Sequence, residues 1–475
     1  MKRDILQQQK VVQVSQHTVA PGATLALPDT VNSTSPPLSG GLRRKWQRTR
    51  NVSQSHNGRP RIERGALYLG LTAIVVVICT LKALTMQHFV ESPVWAVYSV
   101  VVLVFIFGRF GLAWRYRPSF GTGVATNFPS VAIIVPAYNE EDAIGATLRS
   151  CLTVNYPEHL IQVVVVDDCS TDLTLDRIRE VEAIFPSLVV VAGEVNRGKR
   201  HVMAAGMRAA RDVDILVFID SDSVIEPNAV ASLVRYFDDP AVGAVCGHTD
   251  VSNKSTNLLT RMQALQYYIA FSVYKSAEAL FGSVTCCSGC FSGYRRSAIE
   301  PICAAWVGQK FLGQPSTYGD DRSLTNFLLP NWRILYAPDA KAQTAVPDRL
   351  SKFLRQQLRW KKSWLRESMR AVRIMWRKPP LMVVFYYLGV LLPFVAPQVV
   401  FRALFISPYF LLSPPVWYLG GVAAVAVFYG LYYRLKTQEP DWYKGILFSL
   451  FYVTLLVAQL PYALLTIRDS KWGTR

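Results

Sequence analysis

The chain has 475 residues, enough for one catalytic domain of ordinary size and a membrane portion. Hydrophobic residues make up 51% of it and mean hydropathy is +0.20; the excess sits in a few runs, which argues against a wholly soluble protein. Net charge is +18, with basic residues crowded at 43–64 and 352–378 beside apolar runs, a placement that fits anionic lipid headgroups better than nucleic acid, for which no motif occurs.

Residues 1–42 are rich in Gln, Ser, Thr, Val and Pro without helical period, which predicts a disordered cytosolic N-terminus over 1–60. No apolar core follows the first residues, as a signal peptide would require. Asn32 and Asn51 match a glycosylation pattern but are expected in the cytosol. Apolar runs at 66–86 and 93–114 are each long enough to cross about 30 Å of hydrocarbon, so 61–117 is predicted to hold two transmembrane helices. Arg59, Arg61 and Arg64 precede the first, Arg115 and Arg117 follow the second, and the link 87–92 has no Lys or Arg. Both outer ends are therefore expected in the cytoplasm.

From 130 to 379 the chain is polar. Short runs (VAIIVPAY, IQVVVVDD, SLVVVAGE, DILVFIDSD) read as strands, and EDAIGATLRSCL, TLDRIREVEAIF and GKRHVMAAGMRAAR read as the helices between them. Apolar strands alternating with helices predict an α/β domain with a mostly parallel, Rossmann-like sheet covered on both faces. Ligands of such sheets bind beyond the carboxyl ends of the strands. Asp167, Asp168, Asp220 and Asp222 stand at such ends. The eight cysteines read as reduced cytosolic thiols. Cys287 and Cys290 form a CxxC, but no second pair or nearby His completes a zinc site.

Four motifs in this block carry chemistry. If the strand before Asp220 stays extended, Asp220 and Asp222 share a side, and both can meet one divalent cation that neutralises a diphosphate. Alone, the pattern is also that of a solvated turn. Asp167 and Asp168 can accept from uracil N–H and ribose hydroxyls, or cap a helix near Thr171, a task open to Ser170 and Asp172 as well. Lys199 and Arg200 follow Gly198 at a helix start, a phosphate-binding arrangement or a surface basic pair. In Gly319-Asp320-Asp321-Arg322 a carboxylate at a helix start can take a proton from an attacking hydroxyl, or serve as an N-cap. Gln356, Arg359 and Trp360 lie at helical spacing on an amphipathic interface helix; Arg359 can meet a diphosphate and Trp360 can stack on a sugar.

Three apolar stretches follow at 381–406, 415–433 and 445–467. Gln459, Leu460 and Pro461 interrupt the last, which is expected to bend and return with Trp472 in the cytosol. Arg402 is expected to face protein or water rather than lipid, or to snorkel to a boundary. Tyr386, Tyr387, Trp417 and Tyr429 are either sugar-stacking surfaces or ordinary interface aromatics.

VPAYNE (135–140), the VVDD run, DSD, GDDR and QQLRW together resemble the processive family-2 glycosyltransferases, which include hyaluronan, chitin and cellulose synthases. The likeness runs from about Ser130 to the C-terminus. CSG followed by YRR (287–296), FLGQP (311–315), GDDRSLTN (319–326), QQLRWKKSWLRES (356–368) and DSKWGTR (469–475) are most similar to streptococcal-type hyaluronan synthases. The resemblance implies a GT-A catalytic domain at 130–350, interface helices at 351–379, a membrane and channel region at 380–467 and a WGTR switch segment at 468–475. It implies Mg²⁺ or Mn²⁺ at Asp220 and Asp222, and Asp321 as the base beside Arg359 and Trp360. Donor contacts would come from Ala137, Tyr138, Glu140, Asp167, Asp168, Lys199, Arg200, Asp220, Gln356, Trp472 and Arg475. Acceptor contacts would come from Cys287, Ser288, Asp320 and Trp360.

The implied partners are UDP-GlcNAc and UDP-GlcA, the growing polysaccharide and the lipid bilayer, with no nucleic acid. The implied location is the plasma membrane, crossed several times with the catalytic domain in the cytosol. One departure stands out. Cys290 replaces the Pro that hyaluronan synthases usually carry after the Gly, and rhizobial chitooligosaccharide synthases have a related Cys-rich stretch there. A chitin or chitooligosaccharide synthase using UDP-GlcNAc alone is thus the second reading, and a non-catalytic membrane scaffold the third.

Overall fold

A computed structural model of the chain describes residues 61–86, 93–118, 128–410 and 415–469. The expected disordered N-terminus, Asn32, Asn51, Trp472 and Arg475 lie outside these residues, as does the Trp417 side chain.

Helices α1 (Arg61–Met86) and α2 (Pro93–Arg115) form where the apolar runs predict them. Then come β1 (Val131–Ala137), α3 (Ile144–Leu152), β2 (Ile161–Asp167), α4 (Thr174–Ile184), β3 (Leu188–Ala192), α5 (Lys199–Ala209) and β4 (Ile215–Phe218). Every residue of β1 is buried. Val131, Ile133 and Val135 enter one core with Leu148 and Ile178; Ala132 and Ile134 enter the other with Met203 and Leu324. That is why the run is continuously apolar: helices cover both faces, so both parities of the strand must be hydrophobic. Each Val or Ile so buried contributes roughly 1.5–3 kcal/mol.

The second half adds β5 (Ser223–Ile225), α6 (Ala229–Val234), β6 (Val242–Val251), α7 (Leu258–Ile269), β7 (Ser292–Arg295), a small hairpin of β8 (Lys310–Phe311) and β9 (Gln314–Pro315), α8 (Asp320–Leu328) and β10 (Arg333–Thr344). The eight-stranded sheet has the order β3-β2-β1-β4-β7-β6-β10-β5. Strands β1 to β4 pair in parallel, as do β6 and β10; β7 runs antiparallel to both β4 and β6, and β5 is antiparallel to β10. Ala137 pairs with Asp167, and Ile134 with Phe218, so the loops after β1, β2 and β4 leave from one rim.

Asn257 caps α7 by accepting the Thr260 N–H at 3.0 Å, and the Thr260 hydroxyl accepts the Asn257 N–H in return. The helix continues through a π-helical stretch (Ala270–Lys275) and a final turn (Ser276–Ala279).

After β10 come α9 (Leu350–Met375), α10 (Pro380–Phe401), α11 (Val416–Thr437), α12 (Ile446–Phe451) and α13 (Gln459–Leu465). Among the described residues two helical segments are long and apolar enough to cross a membrane, Pro93–Arg115 and Pro380–Tyr409. The apolar part of α1, Gly65–Leu81, is shorter. Segments Trp442–Leu456 and Gln459–Leu465 meet at a 43° bend, where Pro461 in the next turn removes a backbone donor. Arg402 faces protein, its guanidinium 5.6 Å from the Trp95 ring centre.

Candidate active site

One cavity of about 1280 Å³ opens at the carboxyl rim of the parallel strands and extends to the membrane helices. Ala137, Tyr138, Glu140, Asp168, Lys199, Asp220 and Asp222 line its rim end. Asp321, Gln356, Arg359 and Trp360 line it further in, and Arg109 of α2 with Tyr386, Gly389 and Pro393 of α10 line its membrane end.

At the rim, β2 ends on two carboxylates with different tasks. Asp167, 2% exposed, accepts from the Ser170 N–H (3.0 Å) and hydroxyl (2.5 Å) and is turned away from the cavity. It shapes the loop, in place of the donor contact expected of it. Asp168 accepts the N–H groups of Arg197 and Gly198, each at 2.8 Å, and so fixes the turn that begins α5. Burial raises its pKa; the two N–H donors act in the opposite direction. Asp172, not Asp168, receives the N–H of Thr174 at the start of α4.

The Asp220–Asp222 pair lies just beyond β4 in a turn, closed by the Ser223 N–H donating to the Asp220 carbonyl at 3.0 Å. The extended geometry expected from the sequence ends at Phe218, yet the turn still brings both carboxylates to the cavity. Asp220 is ion-paired to Lys199. Gly289 lies against them: a Cβ there would stand 3.0 Å from both Asp220 carboxylate oxygens. Asp222 accepts from the hydroxyls of Ser223 (3.3 Å) and Thr344 (3.4 Å).

Lys199 and Arg200 point to different places. Arg200, 4% exposed, turns inward, where its Nε donates to Asp320 at 2.6 Å and its Nη1 to Gln309 (2.8 Å) and the Trp306 carbonyl (3.1 Å). The structure therefore removes Arg200 from the donor contacts. It also commits Asp320, expected at the acceptor, to a buried ion pair that anchors α8, though Asp320 still borders the cavity. Gln309 in turn donates to Glu367 of α9 at 2.8 Å, and Asn326 of α8 donates to the Glu367 carboxylate at 3.0 Å. This network joins α5, α8 and α9.

Asp321 is left facing the cavity. Its Oδ1 accepts the Arg322 N–H at 2.8 Å, and the Cys286 thiol lies 3.5 Å from its Oδ2. Gly319 makes this possible. Its φ of +80° lies in the left-handed region, and a Cβ would collide with the Ser363 hydroxyl of α9. Gly319→Ala is therefore expected to lower the melting temperature and to reduce transfer, because α8 and α9 must separate; an unchanged melting curve with full turnover would show that the contact is dispensable.

Of the expected acceptor residues, Ser288 and Trp360 line the cavity, but Cys287 is fully buried, its N–H bonded to the Thr325 hydroxyl at 2.9 Å. Its neighbours Cys286, Ser288, Gly289 and Cys290 line the cavity in its place. Trp360 is 38% exposed, its ring centre 6.2 Å from that of Tyr267. The side-chain carbonyls of Gln356 and Gln266 are buried without a hydrogen-bond partner among the described residues. A polar ligand here would satisfy both.

Tyr267, Tyr274, Lys275 and Glu278 also line the cavity and were not anticipated. Tyr267 comes from α7, Tyr274 and Lys275 from the π-helical stretch and Glu278 from the final turn, and the π-helical stretch has no sequence signature. Tyr387 and Tyr429 do not line it, whereas Tyr386 does. Near the chain's end Asp469 is gripped from the site itself: its carbonyl accepts the Tyr318 hydroxyl at 2.8 Å and its carboxylate meets Lys362 at 3.3 Å.

A rim of parallel strands ending in carboxylates, with an acidic pair beyond β4 and a basic-aromatic helix across the cavity, is the ligand-binding end of an open α/β sheet. Residues 129–363 match the family profile described as "Glycosyltransferase like family 2". The chain is 33% identical over 413 residues to the hyaluronan synthase of Streptococcus pyogenes serotype M3, covering 85% of this chain and 96% of that one. It is 35% identical over 357 residues to an N-acetylglucosaminyltransferase of Azorhizobium caulinodans, covering 73% and 87%. In fold it is similar to a mannosyltransferase from Pyrobaculum calidifontis, solved with GDP-Man and Mn²⁺, with TM-score 0.56 and 22% identity over 78% of this chain and 99% of that one. The chain belongs to the family-2 glycosyltransferases. With apolar helices long enough to span a bilayer and kinship along nearly a whole hyaluronan synthase, it is a membrane enzyme of the polysaccharide-building kind.

Proposed function

We propose that the protein is a processive, inverting polymerase that joins UDP-GlcNAc and UDP-GlcA into hyaluronan and passes the chain out through its own membrane helices. The observation that carries this reading is the single cavity shared by Asp220, Asp222, Asp321, Arg359, Trp360 and the membrane helices. The uridine would rest against Ala137, Tyr138, Glu140 and Asp168, and the diphosphate near Lys199. Trp472 and Arg475, implied as nucleotide contacts by the resemblance, lie outside the described residues.

Asp220 and Asp222 fit a Mg²⁺ or Mn²⁺ ion shared with a diphosphate. No group of three metal-ligating side chains occurs among the described residues, so phosphate oxygens and water would complete the shell, as suits these cations. Bound there, the ion would supply positive charge to the departing UDP. Asp321 takes the proton from the acceptor hydroxyl while that oxygen attacks the anomeric carbon and the bond to the UDP oxygen breaks. Lys199 and Arg359 offset the charge left on the diphosphate. Trp360 holds the acceptor ring by its apolar face.

The second reading, a chitooligosaccharide synthase using UDP-GlcNAc alone, is favoured by Cys290 and by the kinship with the Azorhizobium enzyme. Purified protein supplied with each UDP-sugar singly and then with both separates the two. Polymer only with both donors is expected; polymer from UDP-GlcNAc alone would support the second reading.

A further inference from the structure

The membrane end of the cavity carries cations that the transfer step does not use. Three cations line it: Arg109 of α2, Lys275 of the π-helical stretch and Arg322 of α8. Two carboxylates, Glu278 and Asp321, face them. Glu278 stands 3.7 Å from Arg109, both side chains close to nine-tenths buried, and also accepts the Thr285 N–H (2.9 Å) and hydroxyl (3.0 Å).

Arg109 is held by rings on two elements. Phe105 and Tyr274 each lie 4.7 Å from its guanidinium carbon, and its Nη2 borders Gly389 of α10. Its Nε is buried with no hydrogen-bond partner among the described residues. Lys275 donates to the Cys286 carbonyl and otherwise feels Glu278, so that one carboxylate serves both Lys275 and Arg109. Arg109, Lys275 and Arg322 are three cations against the two carboxylates Glu278 and Asp321, and a surplus positive charge in a cavity that leads between membrane helices is unfavourable unless an anion visits. A neutral N-acetylhexosamine chain brings none. A chain containing hexuronate brings a carboxylate every second sugar, the group that guanidinium forks grip best.

We propose that Arg109, Lys275 and Arg322 form a carboxylate subsite at the membrane end of the cavity, which selects a growing chain that carries hexuronate. This rests on the polymerase reading above. The uronate carboxylate sits against the guanidinium of Arg109, which Phe105, Tyr274 and Gly389 hold in place, and Lys275 and Arg322 add attraction from the opposite elements.

The test uses the full chain in lipid nanodiscs and two soluble probes of equal length, a hyaluronan tetrasaccharide and neutral chitotetraose. Binding of each is measured by thermophoresis, and UDP release from UDP-GlcNAc and UDP-GlcA in the same samples. The wild type is expected to bind the uronate probe about tenfold or more tightly than the neutral one, less so at high salt. Lys275→Met and the double variant Arg109→Gln/Glu278→Gln, which removes the buried pair together, are each expected to weaken that preference. Equal binding of the two probes by a wild type that releases UDP overturns the subsite and leaves the polymerase reading intact, as does a preference undiminished in both variants. Absence of UDP release from either sugar nucleotide overturns the polymerase reading and the subsite with it.

Discussion

Asp321→Asn is expected to lower the rate of transfer by about 10²- to 10⁴-fold, the usual contribution of a positioned base, while UDP affinity stays unchanged. The substitution keeps the shape of the side chain and its acceptance of the Arg322 N–H, 2.8 Å away in the wild type. It removes the negative charge and with it the ability to take a proton. Asp320 cannot take over, since both it and its partner Arg200 are buried in their ion pair. Calorimetric titration with UDP and labelled-sugar incorporation together check the split. Normal incorporation would remove Asp321 from the role of base; loss of UDP binding would show that the residue serves the nucleotide instead.

The second large effect is on stability. Arg200→Met is expected to destabilise the catalytic domain by about 3–5 kcal/mol, because it leaves the Asp320 carboxylate buried without its partner. Burial already raises the pKa of Asp320, and Arg200 and Lys199 are the charges that oppose this. Without Arg200 the folded-state pKa rises further above the unfolded value. The folded variant then binds a proton more readily than the unfolded chain, so its stability recovers as pH falls through that raised pKa, and the deficit is fully present above it. The melting deficit should accordingly be smaller at mildly acidic than at alkaline pH. Lys199→Met is the contrast. Its side chain is 26% exposed at the cavity, so nucleotide affinity should fall with little change in melting. The reverse pattern would mean that the two neighbours have been given each other's tasks.

That pair also shows how far the sequence could be read. Gly198, Lys199 and Arg200 mark a helix start correctly, but successive helical residues point about 100° apart, and only the packing of α8 decides which cation turns inward. Cys286 and Cys287 pose the same problem, and the family motif pointed to the buried one. Strands β1 to β4 were legible because a sheet covered on both faces demands unbroken apolar runs. Strand β7 was not: it is four residues long and contains Gly293 and Arg295. Strand β10 carries Pro338 and Asp339 at a register shift between Ala337 and Lys341, which breaks the pattern. The bend near Pro461 followed from a single residue type, whereas the membrane-end cations come from positions far apart in the chain and meet only in the fold.

The central claim is that bond formation and exit share one cavity. Reconstituting the protein in sealed vesicles with the catalytic domain outward, adding both UDP-sugars outside and then treating with hyaluronidase tests this directly. Polymer that accumulates inside, protected until detergent is added, is the predicted result. Polymer wholly digested in intact vesicles would contradict it.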